Sequence, residues 1–439
     1  MIYVIFPITI FLLFSCWGKS YTREAFPVYL CMAAEFFVWV VAYLPLALIF
    51  DSGYGNEIEL RFLILGVFML GGMAPLLFLR GDLTFISLKI HVIDEDKIGN
   101  YLWGIGIIVF IYLSALTLAG GLRARETVGN YLEPGSALYF IRSFEAVPIL
   151  LYTLLGISWD KNIAKGAKLF GILIALLVLI LTIASGGRGG AVYCMIAFAL
   201  AYMLSSGGSV IKSAAISGIV LSFALVLLCY IGVVRDSWEF GRQSSILGRV
   251  EVIFTAEGFD EASASSAVSG VLLRIAEPFG QDVIDQTVAT GKFYHFENYE
   301  RLFFMYVPAI IADNQKQTLD DGPEALKNHY GYTSINKFQS LPITLLADCY
   351  RRFGVLGCFV FPFILSVMLI FISKYLNPKK GTTIFFICLY VQLLLISIRL
   401  YPFSFFGALG MLMYHFLRTG VVCYISMYVS DFAFRKKIK

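Results

Sequence analysis

The sequence predicts an all-α integral membrane protein of about 11 transmembrane helices with one long, partly helical external segment. Three observations predict it. Of 439 residues, 59% are hydrophobic and only 15% are charged, against about 25% charged in soluble globular chains. Mostly apolar runs of 15 to 25 residues recur along the chain, each long enough, with some tilt, to cross a hydrocarbon core about 30 Å thick. Between residues 235 and 352 those runs stop.

The first span, 2–17, has no basic residue before it, while Lys19 and Arg23 follow. A secretory signal has the reverse order, so this reads as a retained span with an outside N-terminus. Spans at 26–50, 62–79, 101–119, 138–157, 169–184, 190–204 and 214–234 complete an N-terminal bundle over 1–234. The segment 235–352 is too charged to span and too long for a structureless loop. It is expected to fold into short helices near 243–256, 262–276, 281–290 and 297–312. Spans at 353–373, 382–398 and 403–430, with a Lys-rich tail, form a C-terminal bundle over 353–439.

Orientation follows from the basic residues. The breaks 18–25, 80–100, 159–168, 205–213 and 374–381, with the tail 431–439, hold 16 Lys and Arg; the opposite short breaks hold 5. The positive-inside rule makes the first set cytoplasmic and places the long segment outside. The two cations also segregate by type. Cytoplasmic breaks carry 13 Lys and 3 Arg, whereas the outer side carries 12 Arg and 4 Lys. Arginine's planar fork binds phosphate or carboxylate bidentately and lysine does not, so an anionic partner is expected outside. The alternative is ordinary ion pairing, because the long segment also has 15 acidic residues between Arg235 and Ser340.

Eight cysteines lie in or beside apolar spans, with none between Asp236 and Leu346. They read as small buried hydrophobes rather than a disulfide framework. The four histidines show no metal-ligand spacing. No metal, cofactor or nucleic-acid partner is expected.

The sharpest local motif is Ser185-Gly186-Gly187-Arg188-Gly189-Gly190, between two spans on the outer side. Its glycines let backbone amides approach a ligand, and a helix N-terminus with free amides is an anion site. The plainer reading is a tight turn with a snorkelling arginine. A second stretch, Leu341 to Gly357, carries Asp348-Cys349-Tyr350-Arg351-Arg352-Phe353-Gly354-Val355-Leu356-Gly357.

With the long external segment, these two stretches resemble the Wzy-type O-antigen and capsular polysaccharide repeat-unit polymerases, which are related to the O-antigen ligases. The Arg-x10-Gly pattern of some members is absent from the long segment. The resemblance implies a GT-C-like membrane fold and glycosyl transfer at the outer face of the bacterial cytoplasmic membrane. The growing glycan would leave undecaprenyl pyrophosphate for the next lipid-linked repeat unit. Membrane lipids, a chain-length regulator and a flippase would be the remaining partners.

That chemistry asks for cations at the pyrophosphate and for a general base at the acceptor hydroxyl. Asp348 is the leading base, with Glu277, His329 and His295 behind it. Arg188, Arg274, Arg351 and Arg352 are the expected phosphate contacts, and Arg188 serves the reacting centre. Arg142, at i,i+3 from Glu145 within a span, and Arg399, before Tyr401-Pro402, are cavity candidates, with Tyr350 beside them. Arg274 could equally pair with Glu277 on a solvated face. Arg235, Arg242 and Arg249 recur every seven residues and read as an interfacial stripe. Asp94-Glu95-Asp96 reads as a solvated turn, and Glu57 with Glu59 lacks a partner motif for a metal.

Competing readings are an O-antigen ligase, a flippase or transporter of lipid-linked oligosaccharides, and a non-catalytic assembly or sensor protein. Transporters show internal repeats and midplane binding groups, and the sequence shows no convincing repeat. The absence of a histidine immediately before Asp348 favours polymerase over ligase.

Overall fold

The computed structural model describes residues 2–17, 22–44, 55–79, 95–118, 141, 144–184, 188–205, 215–220, 222–224, 226, 230, 248–249, 251, 278–299, 322–331, 343–376 and 384–434. Among them the regular elements are helices and there is no β-strand. In chain order they are α1 (Ile2–Cys16), α2 (Phe26–Phe36, continued by a π-helix, Phe37–Tyr43), α3 (Gly55–Leu77), α4 (Glu95–Leu118), α5 (Ala146–Ser158), α6 (Lys165–Ala184) and α7 (Arg188–Ser205). There follow α8 (Pro278–Thr290), α9 (Gly322–Tyr330), α10 (Leu345–Tyr375), α11 (Ile384–Ile398), α12 (Phe405–Gly410, continued by a π-helix, Met411–His415) and α13 (Phe416–Phe434).

Five of these helical stretches are long and apolar enough to cross a membrane: Glu59–Leu77, Lys97–Leu118, Lys165–Ala184, Leu345–Tyr375 and Phe405–Phe434. Several helices extend beyond the apolar runs. α3 starts at Gly55 and α4 at Glu95; acids in these polar stretches, such as Glu57, Glu95 and Asp96, are residue types that suit a helix start. The stretch expected as a solvated turn at 94–96 therefore contributes Glu95 and Asp96 to a helix. In the long segment, α8 matches the helix expected at 281–290, 297–299 is a turn, and α9 lies where no helix was expected. The helices expected at 243–256 and 262–276 lie almost wholly outside the described residues. Arg249 is buried rather than on an exposed stripe. Arg235 and Arg242 lie outside the described residues.

The chain forms two compact units. One comprises 1–86, 272–377 and 396–417. Its centre is α3, where Phe62, Ile64, Leu65, Phe68, Met69, Met73 and Leu76 are fully buried. Glycines let three neighbours approach α3: Gly66 meets the Phe6 ring of α1, Gly72 the Met32 thioether of α2, and Gly71 the backbone of Phe359 in α10. Small residues at helix crossings are how apolar helices pack closely when lipid and side chains are equally greasy. Ser373 Oγ donates to Arg23 O at 2.7 Å and ties the far end of α10 to the start of α2.

The other unit comprises 87–271, 378–395 and 418–439. α5 is its core helix, buried at every position but Ile149. Gly156 of α5 sits against Phe198 O and Ala201 of α7, and Gly171 of α6 sits against Leu155. Tyr152 OH donates to Ala175 O at 2.8 Å, and Tyr202 OH donates to Asp160 Oδ2 at 2.8 Å. Glu145, just before α5, pairs with Arg418 of α13 at 3.0 Å. Cys31, Cys194, Cys349, Cys358, Cys388 and Cys423 are buried free thiols, as small hydrophobes should be; Cys16 is exposed.

Candidate functional site

The site is built on α10, which is two helices rather than one. Thr344 caps its start, its Oγ1 accepting from Ala347 N at 3.2 Å. The helix breaks at Phe353 (φ −138°, ψ 20°) and Gly354 (φ 59°, ψ −144°). The second pair of angles lies in a region only glycine enters cheaply.

The break is a reversal. Cys358 Sγ reaches Leu346 O at 3.9 Å, whereas twelve residues of unbroken helix would separate them by about 18 Å. Gly357 lies directly on Cys349 O, where a side chain would collide. The short half, 345–352, therefore folds back along the long half, 354–375.

A reversed half-helix exposes orphan backbone groups at both ends. At its start, Leu345 N donates to Tyr401 O at 2.8 Å. At its end, Arg351 O and Arg352 O accept from Tyr294 N (3.0 Å) and His295 N (3.1 Å). The loop 291–299 thus caps the helix, and it turns tightly to do so, with positive φ at Gly291, His295 and Asn298.

Asp348, Arg351 and Arg352 occupy this half-helix, and all three are 0% exposed. Spacings of three and four residues put both arginines on the face of Asp348. Asp348 Oδ1 accepts from Arg351 Nε at 2.6 Å, and Oδ2 accepts from Arg352 Nε at 3.0 Å. Oδ2 also accepts from Phe405 N at 2.7 Å, so the carboxylate caps the first turn of α12. Arg352 Nη1 donates to the carbonyls of His295 (3.2 Å) and Glu297 (2.8 Å), and its guanidinium lies 4.4 Å from the Phe406 ring.

The cluster extends toward the surface through Arg351 Nη1, 3.5 Å from Glu297 Oε2. Glu297 Oε1 meets His329 Nε2 of α9 at 2.6 Å. The His329 ring packs 4.1 Å from Tyr294. His329 and Glu297 are partly open, with side chains 20% and 29% exposed. Beside them, burial pushes the Tyr330 phenol up to about 12, while its contact with Thr287 Oγ1 at 3.2 Å works the other way. Another buried cation, Arg61 of α3, grips Asp285 of α8 through Nε and Nη2 and also contacts the Tyr43 hydroxyl.

Of the residues expected from sequence, Asp348, Arg351 and Arg352 come together. Tyr350 is buried on the same half-helix, its ring edge-on to Phe293 at 6.4 Å. Arg399 is half-buried in the turn after α11, its N donating to Ile396 O at 2.8 Å. Arg188 is the first residue of α7; its side chain, together with Arg142, Arg274 and Glu277, lies outside what the structure describes. His329 and His295 are both at the cluster. Sequence reasoning missed Glu297, Arg61 and Asp285. Nothing in the sequence links Glu297 to His329. Among the described residues no cluster of His, Cys, Asp and Glu could hold a metal ion.

Asp348 already accepts three hydrogen bonds and is closed to solvent, so its chemistry in this arrangement is to neutralise and aim the two arginines. The partly open Glu297–His329 pair is the part of the cluster that can exchange a proton with a bound molecule.

No family model matches this chain, nor does any curated protein or solved structure.

Proposed function

We propose that this protein transfers lipid-linked glycan at the outer face of the bacterial cytoplasmic membrane, as a Wzy-type repeat-unit polymerase with about eleven spans. The observation that carries the reading is the charge cluster Asp348–Arg351–Arg352–Glu297–His329, built where a helix folds back in a largely apolar stretch of chain. Charged side chains within a membrane cost about 2.5–3.5 kcal/mol each even on mild scales, and they concentrate where a polar substrate is handled. Folded-back helices at membrane depth are tolerated only where protein or a cavity surrounds their backbone.

In this reading Asp348 is a positioning residue. It holds Arg351 and Arg352 in place, and Arg351 in turn orients Glu297. The Glu297–His329 pair supplies the general base for the acceptor hydroxyl. Arg188, at a glycine-rich helix start, with Arg142, Arg274 and Arg399, serves the pyrophosphate, whose developing charge fixed cations stabilise. The donor and acceptor are undecaprenyl-pyrophosphate-linked oligosaccharides.

One observation favours a second reading, ligase-like transfer of finished glycan. His329 is nineteen residues before Asp348 in sequence, yet its partner Glu297 lies against Arg351. A histidine therefore does stand at the entry to this span.

The test is glycan chain length in a deletion strain, read as a gel ladder, with wild type, Arg188→Ala and His329→Ala supplied back. Polymerase activity predicts single capped units in the deletion and a ladder restored by wild type alone. Full-length polymer stranded on the carrier lipid means ligase. Repeat units that never reach the outer face mean transport, and the transferase reading is then wrong.

A further inference from the structure

The long half of α10, 354–375, buries one face and exposes the other. Cys358, Pro362, Leu365 and Leu369 are buried. Leu356, Val360, Ile364, Val367 and Phe371 are exposed, at spacings of three and four that align them on one side. A helix that is apolar on its exposed face as well as its buried one suits a lipid surround. The long half rises about 33 Å, which matches a hydrocarbon core about 30 Å thick. Lys374 and Tyr375, both exposed, close one end of it, and Gly354 closes the other.

At the Gly354 end the apolar face does not stop with the helix. Val355 is exposed beside Leu356. The Phe296 ring lies edge-on to Phe353, with centroids 5.0 Å apart, and a side chain added at Gly354 would meet the Phe293 ring at 3.2 Å. Tyr299 N donates to Phe296 O at 3.2 Å, so a turn holds those two residues together. Phe296 is 66% exposed, Tyr299 52% and Phe293 39%. Exposed apolar patches of this kind mark a protein, ligand or membrane partner.

Two partners use exposed aromatic rings: a sugar, which stacks on a ring face, or the headgroup layer of a bilayer, where aromatic side chains collect. Position favours the bilayer. Phe293 and Phe296 flank the end of a helix whose length and exposed face match the hydrocarbon core, so they stand where acyl chains give way to headgroups. The charges of the loop agree. Glu297 faces Arg351 and His329, and Lys292, exposed beside Phe293, suits lipid phosphates. A sugar platform asks for free polar side chains converging beside the ring, and the carboxylate of this loop is already engaged.

We propose that loop 291–299 is a membrane-interface anchor, with Phe293, Phe296 and Tyr299 seated in the headgroup layer at the Gly354 end of α10. The partner is the bilayer surface itself. The same loop caps the end of the folded-back half-helix and gives Arg352 two carbonyls. The anchor would therefore set the depth of the charge cluster and hold Glu297 near the level of the lipid phosphates. The inference rests on α10 crossing the bilayer and is independent of glycan transfer.

The test uses the full chain in phosphatidylcholine vesicles, with a tryptophan added as Phe296→Trp or as Ile364→Trp. Ile364 is ten residues beyond Gly354, about 15 Å along the helix, at the centre of the core. Emission gained over the five native tryptophans is read with lipids brominated near the headgroup or at mid-chain, and with iodide in the water. Ile364→Trp should lose most of its added emission to mid-chain bromine. Phe296→Trp should emit to the blue of tryptophan in water and lose most of its added emission to shallow bromine, with far less lost to mid-chain bromine. Strong quenching of Phe296→Trp by iodide, with no effect of bromine, overturns the proposal and leaves the rings facing water, as a sugar platform requires. Greater loss to mid-chain than to shallow bromine overturns it too, as does an Ile364→Trp that bromine does not reach. Both substitutions replace exposed apolar side chains, and none of these readouts depends on glycan synthesis.

Discussion

Asp348 is a carboxylate surrounded by donors: two guanidinium groups and the amide of Phe405. Such an arrangement makes it indispensable to the fold before any question of chemistry arises. Removing one member of a buried ion network leaves the others uncompensated, at a cost of about 3–5 kcal/mol. Asp348→Asn, similar in size but neutral, should therefore lower the melting temperature of the purified protein sharply. A variant that melts like wild type yet makes no polymer would return Asp348 to the role of base. His329→Ala should do the opposite, with little change in melting because the pair is partly open and surface pairs contribute little. Sequence spacing made the Asp348–Arg351–Arg352 triad legible, since i,i+3 and i,i+4 neighbours on a helix touch wherever that helix lies. It could not show that the arginines are closed to solvent, because burial depends on loop 291–299 and α12, which approach from distant parts of the chain.

At the scale of elements, the reversal at Phe353–Gly354 decides the architecture of the site. The sequence marks a Phe-Gly-x-x-Gly turn there, and the residues before it read as the end of an external segment. The structure turns those residues into a half-helix running back along its own continuation, with both ends capped by other segments. Gly354→Ala should cost about 1–3 kcal/mol through backbone strain alone, and its Cβ would also press the Phe293 ring at 3.2 Å. Gly357→Ala drives a methyl group into Cys349 O and should destabilise the protein at least as much. Gly218→Ala, which meets nothing within 4 Å, is the control and should melt like wild type or slightly higher. Equal melting of all three variants would mean that the two halves of α10 are not held against each other.

At the scale of the whole molecule, the topology is the open test. The orientation expected from the charge asymmetry has loop 291–299 outside and the C-terminal tail inside. Lys292 is exposed, so Lys292→Cys should react with a membrane-impermeant maleimide in intact cells, above the background of the native cysteines. Lys439→Cys should react only after the membrane is opened. The reverse pattern would invert the protein and remove the outer-face site with it.

Composition and the lengths of the apolar runs were enough to establish a helical chain with several membrane-fit helices, because transfer of a side chain from water is a local cost that adds along the chain. The same local signal located most helices and misplaced their polar ends, as at Gly55 and Glu95, where helix-favouring acids carry no hydropathy. What only the tertiary structure decided is pairing across distance: Glu297 with Arg351 and His329, Arg61 with Asp285, Glu145 with Arg418. These contacts join residues tens to hundreds of positions apart. Their partners are chosen by how helices pack and where a chain reverses, and no periodicity in the sequence records that choice.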